Sequence, residues 1–534
     1  MQSTETGEQR SGDISSFDGN ASSGPVTPPR PKDGGPKIGS TPIANHRAVS
    51  SELNAIPEKL ESRMAGFHAE ITRRVVGPID VKHFNKFLPA VQSTGTEHNG
   101  VEAYQKLQPE METAKNEGDM YGALVNYLND LRPSENISFC DKHHKILRVF
   151  DGVDIKPDIM VFHGNDEATI EAMFEVKYHE EDDPFHDRSD FQRDPVHDRS
   201  NFQRDSIRSK STLGQITSYA TCHQALEFRT HAFSALIFRN YMRLLRFDRS
   251  GVVVTGEILF DEPSLFDFFC RFPSATPAER GRDSTVTAAN LSCQTEEIRR
   301  LLNCKEKAPL LTISIDRKEY IILKEQGPGS TSPIGRSTRC FKAYCLEKKR
   351  VILLKDSWRV VSPNLQPEHE IYEKLRKAKV QNIPELWYGK TDHAIKLTSR
   401  THRHYRIVLE YLPFRLEEFE ITREMIAIVR DASIAHRDAA IEAKVAHRDI
   451  SNGNIMFKRN LDGNVQGFLI DWDLSLDLAK ILRKYSLSVC YCNAQGTWKF
   501  LAIRLLESTD EEPVIQNRID DVESFYHLIL WMAL

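Results

Sequence analysis

Asp449, Asn454 and Asp471 are residues whose types and spacing could carry chemistry together. Asp449 sits in Ala446-His-Arg-Asp-Ile-Ser-Asn-Gly-Asn-Ile455, five positions before Asn454. Its carboxylate can accept the proton of an incoming hydroxyl, while the short amide of Asn454 can hold a divalent cation. Asp471 ends the apolar run Gly467-Phe-Leu-Ile-Asp471, near enough in sequence for a strand, a turn and a second strand to return it to the same cation. A second His-Arg-Asp, at 436–438, has Ala443 where Asn454 would stand, and alanine binds no metal. It is read as surface of a helix carrying Met425, Val429, Ala432, Ala439 and Ala443 at helical spacing.

The pattern His-Arg-Asp followed by a spaced Asn is that of the catalytic loop of protein kinases, and Asp471 falls where those enzymes carry Asp-Phe-Gly. Here the triplet is Asp-Trp-Asp, and Asp473 in place of glycine stiffens the segment. With Gly496-Thr-Trp-Lys-Phe-Leu-Ala502, Asp520-Asp-Val-Glu-Ser524 and the upstream segments 246–255, 280–284 and 351–358, the chain resembles the fungal-specific protein kinase family over roughly residues 75–534. The resemblance implies ATP and Mg2+ as cofactors, with transfer of phosphate to protein serine or threonine. Asp449 would be the catalytic base, and Asn454 and Asp471 the metal ligands.

A nucleotide also needs a lysine and a carboxylate to hold it. Lys355 ends the strand Val351-Ile-Leu-Leu-Lys355 and is expected at the α- and β-phosphates. Glu368 is its expected partner, because Ile371, Tyr372 and Leu375 follow at the spacing of one helix face; Glu370 is the alternative. Residues 407–412 resemble the hinge strand, Thr497 and Ala502 the peptide platform, and Asp521 a brace for the His-Arg-Asp backbone. Arg448 is expected to grip a phosphate on the segment between Asp473 and Thr497, at Ser486 or Ser488.

Two departures stand out. The stretch Gly327–Lys342, where a phosphate-covering loop is expected, has no Gly-x-Gly-x-x-Gly, and Ser451 stands where serine/threonine kinases usually carry lysine. The chain also stops inside the apolar run 528–534, so the expectation is a kinase C-lobe without its last helices, as in a fragment or truncated gene product. A pseudokinase scaffold therefore stays open. So does a small-molecule kinase, since Asp-x-x-x-Gly-Asn-Ile also resembles aminoglycoside-type phosphotransferases.

Upstream, Lys156-Pro-Asp-Ile-Met-Val-Phe162 and Ala172-Met-Phe-Glu-Val-Lys-Tyr178 read as strands. They carry Asp158, Glu175 and Lys177 in the arrangement of restriction-endonuclease-like folds, and Gln215-Ile-Thr-Ser-Tyr219 resembles the Gln-x-x-x-Tyr of RecB-type nucleases. The resemblance implies a magnesium-dependent nuclease or its decayed remnant, with nucleic acid as partner only in that case. The alternative is a mixed sheet on which Glu175 and Lys177, two apart on one face, simply pair.

The expected fold is thus α+β: a bilobal protein-kinase-like domain over 308–534, preceded by a separate α/β domain over 76–270 and a connection over 271–307. Residues 1–50, rich in Ser, Gly and Pro, read as a disordered tail. Segment 180–210 carries a tandem repeat, 186–194 and 197–205, and reads as a flexible insertion. Residues 231–240 and 251–260 read as a hairpin that closes the first domain.

With 71 Lys and Arg against 76 Asp and Glu, net charge −5, no global field draws nucleic acid or an anionic membrane. No apolar run has spanning length, and the nine scattered cysteines form no Cys-x-x-Cys. These features lead to the expectation of an intracellular protein, in cytoplasm or nucleus, without a membrane partner.

Overall fold

The computed structural model describes residues 60–533 apart from 92–95, 132–135, 151–152, 165, 188–201, 291–294, 306, 325–333, 362–365, 396–400, 479–495 and 508–515. The expected tail, most of the tandem repeat, Ser486 and Ser488 lie outside the described residues.

The first sheet comprises β1 (Val75–Ile79), β2 (Ile137–Asp141), β3 (Ile159–His163), β4 (Asp166–Val176), β5 (His231–Ile237), β6 (Tyr241–Asp248), β7 (Gly251–Thr255) and β8 (Ile258–Leu259). They run in the order β1-β7-β6-β5-β4-β3-β2, with β8 on β6. β4 and β5 are parallel, because the helix α4 (Ile207–Leu226) crosses over between them. One face of the sheet packs on α2 (Thr96–Thr113), α3 (Tyr121–Leu131) and α5 (Pro263–Ser274) through a single apolar core.

The other face packs on α4, whose Leu213, Ile216, Tyr219 and Ala220 point into a second core. α1 (Leu60–Ile71) lies against α4 so closely that a Cβ on Gly214 would come within 2.3 Å of the Met64 carbonyl oxygen. Glycine is required there, and α1 is packed onto the first sheet's layers through α4.

The expected hairpin of 231–240 with 251–260 is instead a three-stranded meander, since β6 lies between β5 and β7 and bonds to both. Arg243 interrupts the apolar pattern of β6, yet its side chain is fully buried. Its three nitrogens meet Asp183 at 2.8 Å, Asp187 at 2.7 Å and Glu257 at 3.0 Å. Asp183 and Asp187 lie in the segment expected to be a flexible insertion, so its flanks are fixed. Phe185 and Phe202 stack with centroids 5.9 Å apart on either side of the part not described.

The connection is ordered as well. Arg229, Arg280 and Arg282 converge on the buried Glu171 of β4 at 2.9, 3.2 and 3.6 Å. Burial alone would raise the Glu171 carboxyl, but the guanidinium charges hold it down at about 2.

The second sheet comprises β9 (Val286–Ala288), β10 (Leu310–Ile315), β11 (Lys318–Leu323), β12 (Arg339–Cys345), β13 (Arg350–Val360), β14 (Leu386–Ile395) and β15 (His402–Glu410), in the order β9-β10-β11-β12-β13-β15-β14. β9 comes from the connection and forms the sheet's edge. α6 (Glu368–Lys377) packs beneath, and its Ile371, Tyr372 and Leu375 share one core with Tyr405 of the sheet and Met425, Ile428 and Trp472 of the lower lobe. That lower lobe carries α7 (Thr422–Ile441), the small sheet β16 (Phe414–Arg415), β17 (Ile455–Arg459) and β18 (Val465–Leu469), and α8 (Arg518–Ala533). α8 buries Phe525 and Leu528, while Ile519, Tyr526 and Trp531 are exposed.

Candidate active site

β13, α6 and the end of β18 bring three charges to one point. Lys355 Nζ lies 2.8 Å from Glu368 Oε2 and 2.6 Å from Asp471 Oδ1, with Asp473 Oδ2 at 3.9 Å. Glu368 is directed inward because it shares a helix face with Ile371, Tyr372 and Leu375, all buried, whereas Glu370 is on the exposed side. Glu368, Asp471 and Asp473 offer carboxylate oxygens within 4.8 Å of one another, a set able to hold a metal ion. Burial pushes the Glu368 carboxyl up to about 7 against the pull of Lys355, with the charges of Asp471 and Asp473 adding to the rise. Burial also works against ionised Asp471, but the ammonium of Lys355 holds its carboxyl well below the usual carboxylate range.

The loop before β17 presents Asp449. Its Oδ1 accepts from Thr497 N–H at 2.8 Å and Thr497 Oγ1 at 2.9 Å. Asn454 Nδ2 donates both to the Asp449 carbonyl, at 2.8 Å, and to its Oδ2, at 3.0 Å. The amide nitrogen is thereby committed, leaving the carbonyl oxygen as the end that could meet a cation. Burial raises the Asp449 carboxyl, and the charge of Asp471 raises it further.

The strained backbone of this loop is braced from below. Arg448 has φ +74°, and its N–H donates to Asp521 Oδ2 at 3.1 Å. The same oxygen meets His436 Nε2 at 3.0 Å. The second His-Arg-Asp therefore needs correcting as a surface feature. Arg437 is exposed, but His436 is buried and reaches the brace, because its position on α7 faces α8. Arg448 Nε donates to Gln516 Oε1 at 3.2 Å, within the core of the loop.

One further residue was not visible in the sequence. Arg336 contributes Nη1 to Asp473 Oδ2, and its Nη2 is buried without a hydrogen-bond partner among the described residues. Gly335, within the stretch Gly327–Lys342 where a phosphate-covering loop is expected, has its N–H bonded to the Arg249 carbonyl at 2.9 Å. It is not offered to the cleft.

The sequence profile of the fungal protein kinase family matches residues 171–394 and 389–533. The chain belongs to the fungal protein kinase family. The match spans Lys355, Glu368, Asp449, Asn454 and Asp471, and it starts inside the first domain, at Glu171 of β4. No curated protein matches the chain.

In this kinase-family chain the first domain carries a cluster of its own. β3 pairs antiparallel with β4, Ile159 opposite Phe174, so Asp158 comes beside the Glu175–Val176 end. Asp158 Oδ2 accepts from Val176 N–H at 2.9 Å and Oδ1 from Tyr121 at 3.1 Å. Glu175 bonds Lys177 through Oε1 and accepts from the Tyr219 hydroxyl at 2.9 Å through Oε2. Gln215 donates to that hydroxyl at 2.8 Å. Burial pushes Glu175 up to about 8 despite Lys177, and the charge of Asp158 adds to the rise. The residues Asp158, Glu175, Lys177, Gln215 and Tyr219 are thus brought together. Each of the four carboxylate oxygens already has a donor.

Proposed function

We propose that the chain is an ATP- and Mg2+-dependent protein kinase acting on serine or threonine hydroxyls. The observation that carries this reading is Lys355 held between Glu368 and Asp471, at 2.8 and 2.6 Å, with the Asp449–Asn454 loop tied beside Asp471 by the bond from Ile470 N–H to the Asn454 backbone carbonyl at 3.0 Å. In this reading Lys355 holds the α- and β-phosphates and Glu368 fixes the lysine. Asp471 and the Asn454 side-chain oxygen would hold Mg2+, which would supply positive charge beside the phosphates. Asp449 orients the acceptor hydroxyl and takes its proton, a task favoured by its raised pKa. Thr497, fixed on Asp449 Oδ1, sets the side from which a peptide enters.

A phosphorylation assay that offers the full chain mixed proteins and, separately, aminoglycosides and other small hydroxyl acceptors tests the reading. Label on protein serine and threonine is expected. Label on the small acceptors alone would make it a small-molecule kinase, and stabilisation by Mg-ATP without any transfer would make it a scaffold.

A second reading concerns the first domain: a magnesium-dependent nuclease site or its decayed remnant. It is favoured by Asp158 beside the Glu175 end of β4, with Gln215 and Tyr219 behind. A cation there would have to displace donors, because the carboxylates are compensated by Lys177, Tyr121 and Tyr219. Cleavage of DNA by the full chain with Mg2+, lost on Lys177→Ala, is the outcome for a nuclease; intact DNA is the outcome for a remnant.

A further inference from the structure

The stretch leading into β12 belongs to the kinase cleft but is mounted on the first domain. Ile334 packs against the core formed by α4 and the first sheet. Gly335 N–H is bonded to the carbonyl of Arg249, in the turn between β6 and β7. Arg339 Nη2 donates to the Gln224 carbonyl of α4 at 3.0 Å, and its guanidinium lies 4.5 Å above the ring of Phe228. Phe228 in turn stacks on Phe341 of β12 with centroids 5.9 Å apart. These anchors lie on both sides of Arg336. The Arg336 carbonyl is itself fixed by Trp358 N–H at 2.6 Å.

From that mount the Arg336 side chain enters the cleft. One arm is on Asp473 Oδ2, which also lies 3.9 Å from Lys355 Nζ, and this places it at the metal end beside Lys355. The other arm, Nη2, is buried with no hydrogen-bond partner among the described residues. Around Lys355 and Arg336 stand three carboxylates, Glu368, Asp471 and Asp473. Ser451, two positions after Asp449, offers no charge. A planar fork with one arm anchored and one unsatisfied is suited to a phosphate oxygen, whose charge-assisted bond would complete its hydrogen bonding.

We propose that Arg336 is a phosphate-binding residue of the cleft, contacting the terminal phosphates of the nucleotide, and that the first domain holds it in place. The proposal rests on the kinase reading above. It gives the first domain a part in nucleotide binding whether or not its own cluster has any activity.

The test is calorimetric affinity of the full chain for Mg-ATP and for adenosine, which has the base and sugar but no phosphate. Arg336→Ala is expected to weaken Mg-ATP by about tenfold or more while adenosine changes by less than about twofold. Arg336→Lys should recover part of the loss, because it restores charge without the fork. Arg339→Ala, which loosens the mount and leaves Arg336 in place, should show the same selective loss at smaller size. Arg336→Ala binding Mg-ATP as tightly as wild type overturns the proposal, as does an equal loss of Mg-ATP and adenosine, the sign of a merely structural role. Arg336→Gln, which retains one hydrogen-bonding arm, separates those cases if the alanine variant is unstable. A wild-type chain that binds no Mg-ATP would instead overturn the kinase reading itself, and this proposal with it.

Discussion

The chain builds two clusters in which a lysine meets buried carboxylates, and they differ in what is left over. Around Lys177 every carboxyl oxygen of Asp158 and Glu175 has a hydrogen-bond partner, and Lys177 offsets only part of the cost of burying Glu175. Around Lys355 the account does not close. Asp471 keeps 28% of its side chain exposed, while Glu368 Oε1 and Arg336 Nη2 are buried without hydrogen-bond partners among the described residues. Unsatisfied buried groups are costly, and these two lie beside carboxylates that could hold a metal ion. The first cluster is a closed polar network; the second leaves polar atoms that a ligand could meet.

Breaking the two lysines in parallel gives the largest expected contrast. Lys355→Met should lower phosphoryl transfer by about 10²–10³-fold, because it removes a cation aimed at developing phosphate charge. Lys177→Met should leave transfer unchanged within about twofold, since the comparison assigns that lysine no part in the reaction. Steady-state kinetics on one protein acceptor checks both.

Stability separates two glutamates of the same strand. Glu171→Gln should cost about 3–5 kcal/mol by urea denaturation, because it strands the buried Arg229 and Arg280. Glu175→Gln should cost less, about 1–3 kcal/mol, because Glu175 already favours its neutral form.

The pH dependence of these two should run in opposite directions. The folded pKa of Glu171 is depressed, so its contribution is present above about 4.5 and lost as pH falls toward about 2. That of Glu175 is raised, so its contribution is present below about 4.5 and lost as pH climbs through about 8. Melting temperature against pH for wild type and each glutamine variant should show the two trends. A common direction would sink the distinction.

Much of this arrangement was legible in the sequence wherever local periodicity governs. The i+3, i+4 and i+7 apolar residues after Glu368 turn it inward, and Glu370 outward. The spacing of Asp449 and Asn454 puts both in one loop, where the amide can reach the aspartate. What the sequence hid depends on distant pairing. β6 was missed because Arg243 breaks its apolar run, and only Asp183, Asp187 and Glu257 make that arginine buriable. His436 looked like surface because its partner, Asp521, lies 85 residues away. Arg336 gave no signal at all, since nothing around it in sequence reveals that Asp473 receives it.

The most direct test of the account is transfer of γ-labelled phosphate from Mg-ATP to protein by the full chain, compared with Asp449→Asn. The account predicts label on serine and threonine from the wild type and a loss of about 10²–10⁴-fold in the variant, which keeps the bonds to Thr497 and Asn454 in reach but removes the base. Equal labelling by the two proteins would contradict it.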